Sequence, residues 1–125
     1  MNNQHLKQSV RQYWNQQSCG TEHTIQEKYS KEYFEEIEQH RYATEPEIHS
    51  FAQFSRAHGK KVLEVGIGAG TDFMQWVRSG AHAYGIDLTQ EALNNVEKRL
   101  SLYHLHAQEL IVADAENIPY VSNFF

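Results

Sequence analysis

The first part of the chain carries apolar side chains at the three- and four-residue spacing of a helix that buries one face. The spacing predicts three amphipathic helices, whose apolar stripes are Leu6, Val10, Tyr13 and Trp14; Tyr29, Tyr33, Phe34 and Ile37; and Ile48, Phe51, Ala52 and Ser55. Pro46 suits the first turn of the third helix, because its missing N–H breaks no hydrogen bond there, and Gly59 suits its end. We therefore predict a helical segment over residues 1–58.

The spacing of the apolar residues along the chain changes after Gly59. Three short runs rich in apolar residues each end in glycine or aspartate, namely Lys61–Gly66, His82–Asp87 and Glu109–Asp114. Residues 72–79 and 90–103 lie between these runs and place apolar side chains on one helical face. Strands that alternate with helices predict a parallel sheet, with ligands bound beyond the carboxyl ends of its strands. The fold predicted for residues 59–125 is an α/β, Rossmann-like parallel sheet.

Composition narrows the classes of partner. The chain has 125 residues, enough for one modest core, and its sixteen acidic and eleven basic side chains give a net charge of -5. Such a chain offers no basic surface for nucleic acid or an anionic membrane. No run approaches the roughly 20 apolar residues that span a bilayer. Because Cys19 is the single cysteine and the first residues lack a secretory signal pattern, the expected compartment is the reducing cytoplasm.

A glycine loop, Gly66-Ile67-Gly68-Ala69-Gly70, follows the first strand and opens the next helix. Such a loop turns backbone amides and the positive end of a helix towards a ligand. Thr71 stands where a dinucleotide-binding loop requires glycine or alanine, and the chain has no Gly-Lys-Ser/Thr run of a P-loop. Glycines also serve tight turns in any α/β protein, so the loop alone leaves a structural role equally open.

Two aspartates stand at the next strand ends. Asp87 follows the loop by about twenty residues, where a carboxylate can accept hydrogen bonds from both ribose hydroxyls. Taken alone, Asp87 near Thr89 is better interpreted as a cap of the next helix than as a ribose acceptor, and the same holds for Asp114. Three adjacent strand ends together offer a glycine turn, a ribose acceptor and an acceptor for an exocyclic amine. This combination predicts a pocket for a nucleoside.

These residues belong to three longer motifs, Val62–Asp72, Gly85–Thr89 and Ala113–Pro119. The motifs resemble the cofactor motifs of class I S-adenosylmethionine-dependent methyltransferases. The earlier stretch with Tyr13-Trp14-Asn15, Cys19-Gly20, Arg41-Tyr42 and Glu45-Pro46 resembles the helical entry segment of small bacterial members. The resemblance implies methyl transfer from the cofactor S-adenosyl-L-methionine to a small-molecule acceptor that the sequence does not identify.

The resemblance also implies roles for individual residues. Glu64 and the loop with Gly66, Gly68 and Gly70 are expected to hold the methionine part of the cofactor, with the amides around Gly68 and Gly70 facing its carboxylate. Asp87 is expected to hold the ribose hydroxyls, and Asp114 with the Ala115 amide to read the adenine edge. Tyr13 and Trp14 are interpreted either as a lid that excludes water or as an apolar face packed on the domain.

The family has a seven-stranded sheet, whereas this chain ends at Phe125, where a fourth strand is expected to begin. The expectation is the first half of the fold, without the acceptor pocket or a general base, so the sequence assigns no catalytic residue. The first strand would then form an open edge at which copies of the chain self-associate.

Two other functions remain open at this point. The first is a non-catalytic cofactor-binding or interaction module, which the short sheet favours. The second is a nicotinamide-dependent oxidoreductase, which Thr71 disfavours. A metal site is not predicted, because His40, His49 and His58 fall on different elements and no His-Glu-x-x-His motif is present.

Overall fold

The computed structural model describes residues 3–125, so the first two residues of the predicted helical segment lie outside it. The helices are α1 (Asn3–Gln16), α2 (Lys31–Thr44), α3 (Glu47–Ala52), α4 (Thr71–Arg78) and α5 (Gln90–Leu102), and the strands are β1 (Lys61–Val65), β2 (His82–Asp87) and β3 (Glu109–Val112). Two 3-10 turns cover Thr21–His23 and Phe54–Ala57. The predicted α/β fold, a Rossmann-like parallel sheet preceded by helices, is confirmed.

The three strands pair in parallel in the order β1-β2-β3, so β1 lies at one edge of the described sheet. Helices α4 and α5 pack on the face that carries Ala83 and Gly85. Gly85 is required there, since a Cβ atom would stand 2.9 Å from the Phe73 ring. The main core is therefore a layer between this face and the two helices, made of Ile67, Phe73, Met74, Ala83, Ala92, Leu93, Val96 and Leu100.

Aromatic side chains from the last residues of the chain cover part of the opposite face of the sheet. Tyr84 alternates with Ala83 and Gly85, so its ring points away from α4 and α5. The rings of Tyr120, Phe124 and Phe125 lie with their centroids 5.2 to 5.6 Å from that of Tyr84. Edge-to-face packing of this kind stabilises the face without a helix.

The helical segment departs from its predicted boundaries at two residues in the left-handed region. Tyr29 has a φ of 68° and precedes α2, so it is not part of that helix, which Ser30 caps by accepting from the Tyr33 N–H at 3.1 Å. Gln53 has a φ of 49° and ends α3. Ser55 therefore lies in a separate 3-10 turn, and Phe51, predicted on the apolar stripe, is 92% exposed.

The loop after β1 and the helix α5 approach each other closely at Gly70. The φ of Gly70 is +79°, and a Cβ atom there would stand 2.8 Å from Val96 Cγ2. We expect Gly70→Ala to destabilise the protein by about 2 to 4 kcal/mol, because left-handed strain adds to the overlap. Gly59→Ala is the matched control, since Gly59 has a φ of +73° with nothing within 4 Å of the added Cβ.

We expect Gly59→Ala to lower the free energy of unfolding only by the left-handed strain, about 1 to 2 kcal/mol. Urea denaturation of the two variants measures the difference. Equal losses would show that the approach of Val96 does not constrain the loop.

Candidate functional site

Two cavities of about 340 Å³ each open at the carboxyl ends of the strands and share Cys19, Gly66 and Gly68 in their walls. The first lies between α1, the ends of the three strands and the start of α5, and its wall includes Val10, Trp14, Val65, Asp87, Ala113, Asp114 and Ala115. The second lies between α2, the 3-10 turn at residues 21–23 and the start of α4, and its wall includes Glu22, His23, His40, Arg41, Glu45, Glu64 and Asp72. The shared glycines make the two cavities parts of one site.

Asp87 ties the end of β2 to the glycine loop. Its carboxylate accepts from the Gly68 N–H at 3.2 Å and from the N–H and the hydroxyl of Thr89, both at 3.0 Å. The cap of α5 is Thr89 itself, whose hydroxyl accepts from the Ala92 N–H at 3.2 Å. Helix capping is thus done by Thr89, and the Asp87 carboxylate lies in the wall of the first cavity.

Asp114 lies two residues beyond the end of β3 and already has a cationic partner. The Lys7 ammonium lies 2.6 Å from its Oδ2 atom, and the Glu116 N–H donates to Oδ1 at 2.9 Å. Lys7 holds the pKa of the Asp114 carboxyl below its ordinary value, with help from the Glu116 amide. The carboxylate predicted to read the adenine edge is therefore ionised and shared with α1.

Helix α1 lies across the first cavity without joining the core. None of its residues, 3–16, is buried, and Val10 and Trp14 remain 38% and 39% exposed although they line the cavity. Polar contacts hold it in place: Arg11 Nε donates to the Leu88 carbonyl at 3.2 Å, and Asn15 Oδ1 accepts from the Glu91 N–H at 3.1 Å. Val10 and Trp14 of the predicted stripe thus face a cavity, whereas Leu6 and Tyr13 lie largely in solvent.

Arg41 and Asp72 fix the far side of the second cavity. The guanidinium donates from Nε to Oδ1 at 2.9 Å and from Nη2 to Oδ2 at 2.6 Å, a bidentate pair that joins α2 to α4. The Tyr42 hydroxyl donates to the same Oδ1 at 3.0 Å. The hydrogen bonds to Asp72 raise the pKa of Arg41, so the guanidinium stays charged in the cavity wall.

Glu64 carries a buried carboxylate from β1 into the second cavity. Its Oε2 atom is buried and has no hydrogen-bond partner among residues 3–125. The pKa of Glu64 is raised to about 8, mainly by burial and in addition by the negative charge of Asp72, while the Trp76 indole partly opposes both. An unpartnered buried carboxylate is costly, and a bound cation or donor would remove that cost.

The glycines divide into two groups. Gly66 and Gly68 line both cavities with φ values of 75° and 53°, and a Cβ atom on Gly66 would meet nothing within 4 Å. Gly70 lies in neither wall and contacts α5 instead. The Gly68 amide donates to Asp87, and the Gly70 amide donates to the Ile67 carbonyl at 2.9 Å. The two amides predicted to face the carboxylate of the cofactor are therefore already engaged in hydrogen bonds within the protein.

Sequence reasoning missed two cations of the site. Lys7 offered no signal, because its partner Asp114 lies 107 residues away. Arg41 belongs to the entry-segment motif, but a lone Arg-Tyr pair on a helix does not reveal its partner. Cys19 of the same segment is exposed where the two cavities meet.

The described residues form neither a metal-binding cluster nor a membrane-spanning helix. Within 3–125, no group of three or more His, Cys, Asp or Glu side chains is arranged to hold a metal ion. The rings of His23 and His40 stack with centroids 3.8 Å apart beside the second cavity. Across the same residues, every helix is too short or too polar to cross a membrane.

A parallel sheet whose strand ends carry a glycine loop and two carboxylates defines the Rossmann-like α/β class of proteins. A family model described as a methyltransferase domain matches residues 62–125, just over half of the chain. The chain belongs to this family, and the matched part is a class I S-adenosylmethionine-dependent methyltransferase domain. Comparisons with curated proteins and with solved structures gave no match. The family implies the use of S-adenosylmethionine in general.

The raised pKa of Glu64 predicts that Glu64→Gln changes how stability depends on pH. The folded protein holds the Glu64 proton to a pKa of about 8, whereas the unfolded chain releases it near 4.5. Stability of the wild type should therefore fall as pH rises from 4.5 to 8. Glu64→Gln should be more stable by about 1 to 3 kcal/mol at neutral pH and equal to the wild type near pH 4.

Thermal unfolding between pH 4 and pH 8 measures the effect, with Glu97→Gln on the exposed side of α5 as the control. The control is expected to follow the wild type. Parallel pH profiles for Glu64→Gln and the wild type would contradict the protonated state of the buried carboxyl.

Proposed function

We propose that this chain binds S-adenosyl-L-methionine and carries the cofactor-binding part of a methyltransferase that acts on a small-molecule acceptor. The charge of the two cavities supports this proposal most. Among the described residues that line them, six carry a carboxyl group, of which Glu64 holds its proton up to a pKa of about 8, and Arg41 is the one lysine or arginine. Such walls favour a sulfonium donor with an ammonium group and disfavour a pyrophosphate. The nicotinamide alternative is therefore less consistent with the site than a nucleoside without phosphates.

The residues present fit the donor part by part. Asp87 has the position to accept from the ribose hydroxyls, and Asp114 with the Ala115 amide has the position to bind the adenine edge. The partnerless Oε2 atom of Glu64 suits the donor's ammonium group. Because the Gly68 and Gly70 amides are engaged, we assign the donor's carboxylate to Arg41, which lines the same cavity as Glu64.

The bound donor supplies a methyl group on a sulfonium and leaves as a neutral thioether. The protein therefore has no developing negative charge to stabilise on the leaving group, and its task is to position the donor and exclude water. Asp87 orients the ribose and Glu64 orients the ammonium group, on either side of the sulfonium. Helix α1 lies over the first cavity and reduces its contact with water, with Trp14 in the wall.

A second candidate function is an interaction module without catalysis. The open edge of β1 favours it, because Val65 at the end of this strand is 48% exposed and the strand pairs only with β2 in the described sheet. An unpaired edge with apolar side chains is a template for another strand.

We further propose the cytoplasm as the site of action, on the ground that the single cysteine forms no intramolecular disulfide.

Calorimetry tests the cofactor assignment. We expect S-adenosylmethionine and its demethylated product to bind, and NAD to bind more weakly or not at all, because the cavity walls are acidic. Asp87→Ala should weaken binding by about 1 to 3 kcal/mol, since both ribose hydroxyls lose a charged acceptor. Binding of NAD with equal or greater affinity would contradict the assignment.

Ser30→Ala is the control for Asp87→Ala. It removes the hydroxyl that caps α2, away from both cavities, and should cost about 1 kcal/mol of stability without changing affinity. If Asp87→Ala lowers only the melting temperature and leaves the affinity of the folded fraction unchanged, Asp87 has a structural role and not a binding role.

The interaction-module candidate predicts that the chain self-associates through β1. Light scattering over a range of concentrations should show dimers or larger species, because pairing at the edge satisfies exposed backbone groups. A monodisperse monomer at all concentrations would argue against this use of the edge.

A further inference from the structure

A buried guanidinium lies beneath the end of the glycine loop. Arg99 on α5 is 2% exposed, although it carries a charge. Its Nη1 atom donates to the Thr71 hydroxyl at 3.0 Å and to the Ala69 carbonyl at 3.4 Å. The side chain therefore holds the last part of the loop and the first residue of α4 from below.

The same guanidinium also reaches α2. Its Nη2 atom donates to the Phe34 carbonyl at 3.4 Å and lies 3.5 Å from Glu38 Oε1, while its carbon stands 5.3 Å from the centre of the Phe34 ring. One side chain thus connects α2, the glycine loop and α5. These elements come from both the helical entry segment and the sheet half of the chain.

Burying the charged side chain of Arg99 in this space costs desolvation free energy. Burial lowers the pKa of its guanidinium, the nearby Glu38 carboxylate opposes that effect, and Nε has no hydrogen-bond partner among residues 3–125. Buried charges are often replaced by apolar side chains without loss of stability. Stability alone therefore does not explain an arginine at this position.

An apolar side chain at this position cannot donate a hydrogen bond to the Ala69 carbonyl. The direction of that carbonyl fixes the peptide between Ala69 and Gly70, and the path of the loop follows from it. Val96, one turn earlier on α5, contacts Gly70 and limits how close the loop can come. The contact with Val96 sets the distance between the glycine loop and α5. The hydrogen bonds from Arg99 set the orientation of the loop.

We infer that Arg99 is a positioning residue, which orients the glycine loop for the methionine part of the cofactor through the Ala69 carbonyl and Thr71. Arg99 itself lines neither cavity, and it acts through Ala69 and Thr71, which line the second. The identity of the ligand rests on the proposed function, whereas the effect on the loop does not.

Amide hydrogen exchange of the free protein tests the effect on the loop. The variants are Arg99→Met, Arg99→Lys as the conservative change, and Arg78→Met as the matched control. Arg78 also donates to Glu38, at 3.2 Å, and its guanidinium lies 5.1 Å from the centre of the Tyr103 ring. Exchange is compared at a temperature at which circular dichroism shows every variant folded.

We expect the amides of residues 66–71 to exchange about tenfold faster in Arg99→Met, less so in Arg99→Lys, and at the wild-type rate in Arg78→Met. The amides of β2 should be unchanged in all three variants. Equal acceleration in the loop and in β2 would show a general loss of stability and overturn the inference, and so would an unchanged loop.

Binding measurements separate this inference from the proposed function. S-adenosylhomocysteine contains the methionine-derived part, and adenosine lacks it. We expect Arg99→Met to lose about tenfold in affinity for S-adenosylhomocysteine and less than about twofold for adenosine. Equal losses for the two ligands would overturn the role of Arg99. A wild type that binds neither ligand would contradict the proposed function, while the exchange result would still decide whether Arg99 orients the loop.

Discussion

The close approach of α5 to the backbone at Gly70 is the constraint on which the site depends. A side chain at Gly70 would overlap Val96, so the chain must turn from β1 into α4 without a Cβ atom at this point. The approach packs the middle of α5 against the loop, and the pairing of β1 with β2 brings Asp87 within reach of the Gly68 amide. The carboxyl ends of β1 and β2 thereby form one wall.

Both parts of the chain contribute charge to the site, but the cations come from one of them. The strand half contributes the carboxylates of Glu64, Asp72, Asp87 and Asp114, and the helical entry segment contributes the cations of Lys7 and Arg41 together with the carboxylates of Glu22 and Glu45. Each cation pairs with a carboxylate from the other part. The entry segment thus supplies countercharge to the site in addition to covering it. Glu64 is the carboxylate whose Oε2 atom is left without a partner, and this makes it the point at which a positively charged group gains most.

The strands and the two helices of the sheet half were predictable to within one or two residues, because the change of period and the glycines mark their ends. The ends of α2 and α3 were not, since Tyr29 and Gln53 take left-handed conformations that their residue types rarely adopt. The stripe of α1 predicted a helix, but an apolar stripe looks the same whether it meets a core or a cavity. The position of Arg99 under the loop depends on long-range packing, which no local pattern records.

The attachment of α1 determines how the site can open. A helix of fourteen residues has little stability of its own in water, and this one is joined to the rest of the protein by contacts such as Lys7 with Asp114 and Arg11 with the Leu88 carbonyl. Charged contacts at a surface weaken as ionic strength rises, whereas the core between the sheet and α4 and α5 does not depend on them. We therefore expect α1 to detach locally without unfolding the core, and to uncover the first cavity more often as the ionic strength rises.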